Sequence, residues 1–219
     1  MSKPYKLLIF DWDGTLMDSA QHITNCVQDT IAELDLEPRT DTEVRNIIGL
    51  GLEEAIVGLY ADADAAFIQR MAEVFREHFL YKNKTPSPLF EGAADVLEML
   101  KSDGYQLAIA TGKSRRGLDK VLQDTGLEEF FPVTRCADET FSKPHPQMLD
   151  EILTDYDLQP SDAIMIGDSE YDLLMAKNAD MDALAVSYGV HDLPRLLEHE
   201  PLGYVEDVKE IPQWFSTIG

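Results

Sequence analysis

Asp11 and Asp13 stand two residues apart in Asp11-Trp12-Asp13-Gly14-Thr15-Leu16, directly after the apolar run Leu7-Leu8-Ile9-Phe10. Such a run reads as a buried strand, so both carboxylates fall where a strand ends and a tight turn begins. A carboxylate held there can attack phosphorus, and a second can handle the proton of the leaving group. An acidic pair alone also suits a solvated turn, so the reading depends on companions further along the chain.

Those companions are present. Thr111 lies in Ala110-Thr111-Gly112-Lys113, Lys143 in Ser142-Lys143-Pro144, and Asp168 in Gly167-Asp168-Ser169-Glu170-Tyr171-Asp172. Each taken singly is an ordinary cap or turn residue. Together they supply clustered carboxylates, a cation and a hydroxyl. Carboxylates crowded together repel, and a lysine plus a divalent cation offset that repulsion while leaving room for an anion. Phosphoryl transfer needs little more than positioning and charge stabilisation, which such a set can provide. Gly14 suits a turn with unusual backbone angles, and the amides after Asp11 can cradle phosphate.

The elements that must position these residues are legible as short apolar runs: Tyr5–Asp11, Gln106–Thr111, Val133–Ala137, Ala163–Asp168 and Asp182–Val186. Helical patterns separate the later ones, at Ala93–Lys101, Arg116–Asp124, Gln147–Tyr156 and Tyr171–Asn178. This alternation predicts an α/β fold, a doubly wound parallel sheet with helices on both faces. Ligands of such sheets bind beyond the carboxyl ends of the strands, where all the candidate residues fall. Met71, Met99, Met165 and Met175 sit within apolar patterns and read as core, and Gln213-Trp214-Phe215 as packing on the core.

From about Asp18 to Pro88 the alternation stops. Ile23, Val27, Ile31 and Leu34 recur at helical spacing, as do Phe67, Met71, Val74 and Phe75, with no convincing strand among them. The expectation is an α/β core formed by residues 1–16 and 89–219, with an α-helical cap of residues 17–88 inserted after the first strand. Leu16–Ser19 and Lys84-Thr85-Pro86-Ser87-Pro88 would be its two hinges.

The four ordered motifs resemble those of the haloacid dehalogenase superfamily, in particular its phosphoglycolate phosphatase-like members with a small helical cap after the first motif. The resemblance covers essentially the whole chain. It implies Asp11 as nucleophile of an aspartyl-phosphate, with Asp13 as the acid and base that protonates the leaving alcohol and then activates water. It implies Thr111 as a hydrogen-bond donor to phosphoryl oxygen and Lys143 as the charge-neutralising cation. Magnesium would be held by Asp11, Asp168 and the backbone carbonyl of Asp13, with Asp172 in the outer shell of the metal. Many relatives carry asparagine after the hydroxyl residue of the second motif, where this chain has Gly112, whose backbone amide can still meet phosphate.

Substrate contacts are expected from Thr111, Gly112, Lys113 and, beside the loop Ile47-Ile48-Gly49-Leu50-Gly51-Leu52, Arg45. Lys113, Arg115 and Arg116 form a basic cluster, in which Arg115 and Arg116 fit a solvated helix start better than a substrate contact. The cap loop lacks the lysine that Schiff-base phosphonate hydrolases need, and Arg45 is its one basic neighbour, which favours a hydrolase over a sugar-phosphate mutase. The histidines show neither nucleophile nor metal spacing, although His22 follows the first motif closely.

Composition bounds the partners. With 18 Lys plus Arg against 41 Asp plus Glu, the net charge is −23, a surface that repels nucleic acid and anionic membranes. Two distant cysteines imply neither a disulfide framework nor a zinc site, and no stretch approaches a membrane span, so a cytoplasmic protein is expected. The expected activity is a magnesium-dependent phosphatase for small phosphorylated metabolites such as phosphoglycolate-like acids or sugar phosphates, acting as a monomer or homodimer. The alternatives are a phosphotransferase or phosphomutase using the same nucleophile, and a non-catalytic regulatory binding protein.

Overall fold

Strand β1 (Leu7–Phe10) is buried along its whole length, and its alternate side chains feed two separate cores. The computed structural model, which describes residues 5–218, places β1 at the centre of a six-stranded, all-parallel sheet of order β3-β2-β1-β4-β5-β6. The others are β2 (Gln106–Thr111), β3 (Val133–Cys136), β4 (Ala163–Gly167), β5 (Asp182–Val186) and β6 (Gly203–Val205). The chain runs outward from β1 through β2 to β3, then returns to β4 and runs outward the other way. The switch point therefore lies between β1 and β4, where open α/β sheets bind their ligands.

Leu8 and Phe10 join Leu107 and Ile109 on one face, against α5 (Ala93–Ser102), α6 (Arg115–Thr125) and α10 (Ile211–Ile218). Leu7 and Ile9 join Ala108 and Ala110 on the other, against α7 (Gln147–Tyr156), α8 (Glu170–Asn178) and α9 (Leu193–Leu197). Both faces being covered explains why the strands read as continuous apolar runs. Phe215 is buried in the first of these cores, with Trp214 packed against it. Met99 differs from the expectation: it is 54% exposed, because α5 turns Val96, Leu97 and Leu100 inward and leaves Met99 on its outer side.

Between β1 and α5 the chain forms α1 (Ala20–Glu33), α2 (Asp41–Asn46), α3 (Leu52–Leu59), α4 (Ala65–Glu77) and a π-helical turn, His78–Lys82. Val27, Ile31, Val44, Ile56, Leu59, Met71 and Ala72 make an apolar cluster of their own there. The outgoing and returning connections run side by side, with Asp18 N–H donating to Pro88 O at 2.8 Å and Phe90 N–H to Leu16 O at 3.0 Å. No helix among the described residues is long and apolar enough to cross a membrane.

Candidate active site

Asp11 follows β1 directly, and its N–H donates to Ile166 O of β4 at 2.9 Å, which fixes the carboxylate at the switch point. Asp168 follows β4. Asp172 lies in the first turn of α8, where Ser169 N–H and Oγ–H donate to its Oδ2 at 3.0 and 2.7 Å, a capping box written as Ser-x-x-Asp. Lys143 arrives from the loop between β3 and α7. Its Nζ stands 2.8 Å from Asp11 Oδ1 and 2.6 Å from Asp172 Oδ1. All four side chains are buried.

Asp11 differs from its neighbours in one respect. Neither of its carboxylate oxygens accepts an aligned hydrogen bond, in spite of the nearby ammonium. Asp168, by contrast, accepts from Thr15 Oγ–H at 2.7 Å and from Val190 N–H at 2.8 Å. Gly14 makes that packing possible: at φ +85° it adopts a left-handed conformation, and a Cβ there would stand 2.1 Å from Asp168 Oδ2.

The electrostatics follow from burial and crowding. Burial, with Asp172 and Asp13 adding repulsion, pushes the Asp11 carboxyl up to about 7 although Lys143 pulls it down. Burial and the charges of Asp11 and Asp172 hold Asp168 well above the usual carboxylate range, against the bonds from Val190 and Thr15. For Lys143, burial opposes the charge, yet Asp11 and Asp172 outweigh it and hold the ammonium above its ordinary range. An excess of buried carboxylate over cation remains. One oxygen from each of Asp11, Asp168 and Asp172 lies within 4.8 Å of the others, and such an all-oxygen set suits a hard divalent cation.

Asp13 faces a second environment. Its carboxylate accepts from Ser19 Oγ–H at 2.6 Å, and Lys113 Nζ lies 3.0 Å from each of its oxygens. Lys113 and Thr111 share the end of β2, and Lys113 N–H donates to Thr111 Oγ at 3.3 Å. Gly112 lies between them, under the backbone of Gly49 and Leu50. Arg45 lies on α2 and donates to Gln21 Oε1 at 2.9 Å, while the contacts around Asp11 and Asp13 come from other residues. Arg115 pairs with Glu139 and Asp119, and Arg116 reaches the hydroxyl of Tyr81.

Several contributors carry no sequence signal of their own. Ser19, six residues beyond Asp13 at the head of α1, acts on the Asp13 carboxylate, and Val190, in the loop after β5, acts on that of Asp168. The helical insert is tied to the core by Gly51 N–H on Ser142 Oγ at 2.7 Å and Tyr171 Oη–H on Asn46 O at 2.8 Å. Arg195 adds a bond from Nη1 to Asn46 Oδ1 at 2.9 Å.

Comparison with known proteins places the chain in a family. Residues 8–186 match the family model described as haloacid dehalogenase-like hydrolase. The chain is 33% identical to "Probable phosphatase IndB" of Dickeya dadantii (strain 3937), over 94% of this chain and 91% of that protein. It is 28% identical to a phosphoglycolate phosphatase of Nitrosococcus oceani, over 99% of each chain. A solved haloacid dehalogenase-like family hydrolase from Streptococcus pneumoniae superposes with a TM-score of 0.84 at 26% identity, over 98% of this chain and 100% of that one. The chain belongs to the haloacid dehalogenase-like hydrolase family, and it is an enzyme.

Proposed function

We propose that this hydrolase is a magnesium-dependent phosphatase acting on small phosphate monoesters through an aspartyl-phosphate. The observation that carries the reading is the state of Asp11, a buried carboxylate whose oxygens accept no aligned hydrogen bond although Lys143 stands 2.8 Å away. A nucleophile needs free lone pairs and a nearby cation, and Asp11 has both. An Asp11 oxygen attacks phosphorus, the ester P–O bond breaks, and Asp13 gives its proton to the departing oxygen. Asp13 then takes a proton from water as that water attacks the phosphoryl group, releasing phosphate and restoring Asp11. Thr111 and the Gly112 amide hold phosphoryl oxygens, and Lys143 offsets the charge that builds on phosphate.

The donor set fits magnesium. Asp11, Asp168 and the Asp13 backbone carbonyl would hold it, with Asp172 in the outer shell, and it would supply charge stabilisation for the phosphoryl group. Residues 17–88 act as the cap over a core of residues 1–16 and 89–219, which their separate apolar cluster supports. With the loop at Gly49 and Leu50 seated on Gly112, the cap keeps bulk water from the reacting groups. Lys113 faces the leaving group from beside Asp13, and Arg45 stands at the cap edge as a contact for longer substrates.

Phosphate release from a panel of small phosphate esters tests this, with magnesium or with a chelator, for the native chain and for Asp11→Asn. Release that needs both magnesium and Asp11 is the expected result. Release that persists in Asp11→Asn would overturn the covalent reading, and release undiminished by chelation would overturn the magnesium requirement.

A further inference from the structure

Two polar groups beside the reacting carboxylates take no part in the bond-breaking steps above, and both stand against the same aromatic ring. His22, on α1, stacks on Phe79 with ring centroids 4.7 Å apart and planes inclined by 14°. Lys113 Nζ lies 4.7 Å from the centroid of that ring. His22 Nε2 is buried and has no hydrogen-bond partner, although a buried polar group is normally satisfied. Burial and the charge of Lys113 lower the pKa of His22 against the pull of Asp13.

We propose that His22 and Lys113 together read a compact oxyanion on the leaving group, a carboxylate or a second phosphate. The proposal rests on the phosphatase reading for the position of that leaving group. The departing oxygen must come within hydrogen-bond reach of Asp13. Lys113 Nζ lies 3.0 Å from both Asp13 oxygens, so atoms two or three bonds beyond the departing oxygen arrive beside the ammonium. An oxyanion there accepts charge-assisted bonds from Lys113 and, with the imidazole in its Nε2-protonated tautomer, gives the orphan His22 Nε2 an acceptor. A neutral hydroxyl there gains no charge-assisted pairing with Lys113 and gives that imidazole only a weaker bond, and this difference separates otherwise similar substrates. Phe79, stacked on Phe75, forms an apolar wall that offers no partner to the hydroxyls of a sugar.

The test compares kcat/KM for 2-phosphoglycolate, pyrophosphate and the neutral 2-hydroxyethyl phosphate. The native enzyme should favour one oxyanion-bearing substrate over the neutral ester by about 30-fold or more, and the favoured one identifies carboxylate or phosphate as the group read. His22→Leu should cut that ratio by about tenfold and His22→Gln, which restores a donor, should recover part of it. Lys113→Met should reduce the ratio further. A ratio near one in the native enzyme, or one unmoved by His22→Leu, overturns the proposal. Calorimetric titration of Asp11→Asn protein with 2-phosphoglycolate and 2-hydroxyethyl phosphate reads the same preference without turnover. Absence of hydrolysis with the binding preference retained would overturn the reaction while supporting the recognition, and equal binding of the two would overturn the recognition.

Discussion

A Cβ placed on Gly112 would stand 2.5 Å from the Leu50 carbonyl oxygen and 2.7 Å from that of Gly49. The second motif of the core and the loop of the helical insert therefore meet backbone to backbone, with no room for a side chain. The contact lies one residue from both Thr111 and Lys113. Gly112→Ala cannot be absorbed by a rotamer change, because the atoms it meets belong to the main chain. The loop must retreat, and misplacement by about 1 Å can cost on the order of 100-fold in turnover. The expected outcome is a fall in kcat/KM of about 10- to 100-fold with a melting temperature close to native. Native kinetics in this variant would show that catalysis does not need the loop to seat on Gly112.

The Thr15 hydroxyl donates to Asp168 Oδ1 at 2.7 Å. Thr15→Val keeps the shape and deletes the donor, leaving the carboxylate with the Val190 N–H as its remaining hydrogen bond. Partners of metal ligands typically set affinity within about 10- to 100-fold. The variant should need about tenfold more magnesium for half-maximal activity, and saturating magnesium should restore most of the rate. An unchanged magnesium requirement would remove Asp168 from the metal set.

Asp11 gives the metal-free protein a pH dependence with a definite sign. Its folded value, pushed up to about 7, exceeds the ordinary 3.8, so between those limits the folded chain holds a proton that the unfolded chain has lost. Stability from this group is fully present below about 4 and is lost as pH rises through about 7. Burial and neighbouring carboxylates raise Asp168 in the same direction. A divalent cation competes with those protons, so its stabilising effect must grow as pH rises. Thermal melts at pH 5.5 and pH 8, with and without magnesium, should show a larger magnesium-induced rise at pH 8. Equal rises at both values would count against metal binding at these carboxylates.

Much of this site was legible because its residues end strands. Asp11, Thr111 and Asp168 close apolar runs whose burial on both faces leaves no alternation to confuse the pattern. Strand β6 escaped notice because Gly203-Tyr204-Val205 is too short to carry a period and includes a glycine, a poor strand former. The pairing of Lys113 with Asp13 joins residues a hundred positions apart, and only the β1–β2 register brings them together. Ser19, Val190 and the orphan nitrogen of His22 are legible only from tertiary contacts. Met99 shows the reverse failure: an apolar residue inside a helical pattern reads as core, although an amphipathic helix can leave one on its outer side.

Lys143 carries the remaining prediction, because among the described residues it is the one cation in direct contact with the buried carboxylates Asp11 and Asp172. Lys143→Met preserves most of the apolar stem and removes the charge, leaving those two carboxylates and Asp168 to repel one another in a site with almost no solvent. Breaking a buried pair by removing one partner typically costs about 3–5 kcal/mol, since the surviving charge is uncompensated. Here the cost depends on pH, because Asp11 can shed its charge by holding a proton. At pH 8 the metal-free variant should therefore lose close to that full amount, and at pH 5.5 distinctly less. Magnesium should recover part of the loss at pH 8 by supplying positive charge to the same carboxylates. It should not recover turnover, which is expected to stay reduced by at least about 100-fold, because the charge developing on the phosphoryl group has lost its fixed ammonium. Urea denaturation at the two pH values, with and without magnesium, measures the first effect, and phosphate release measures the second. A destabilisation equal at both pH values would mean that Lys143 serves packing more than charge, and native turnover would remove it from the reaction.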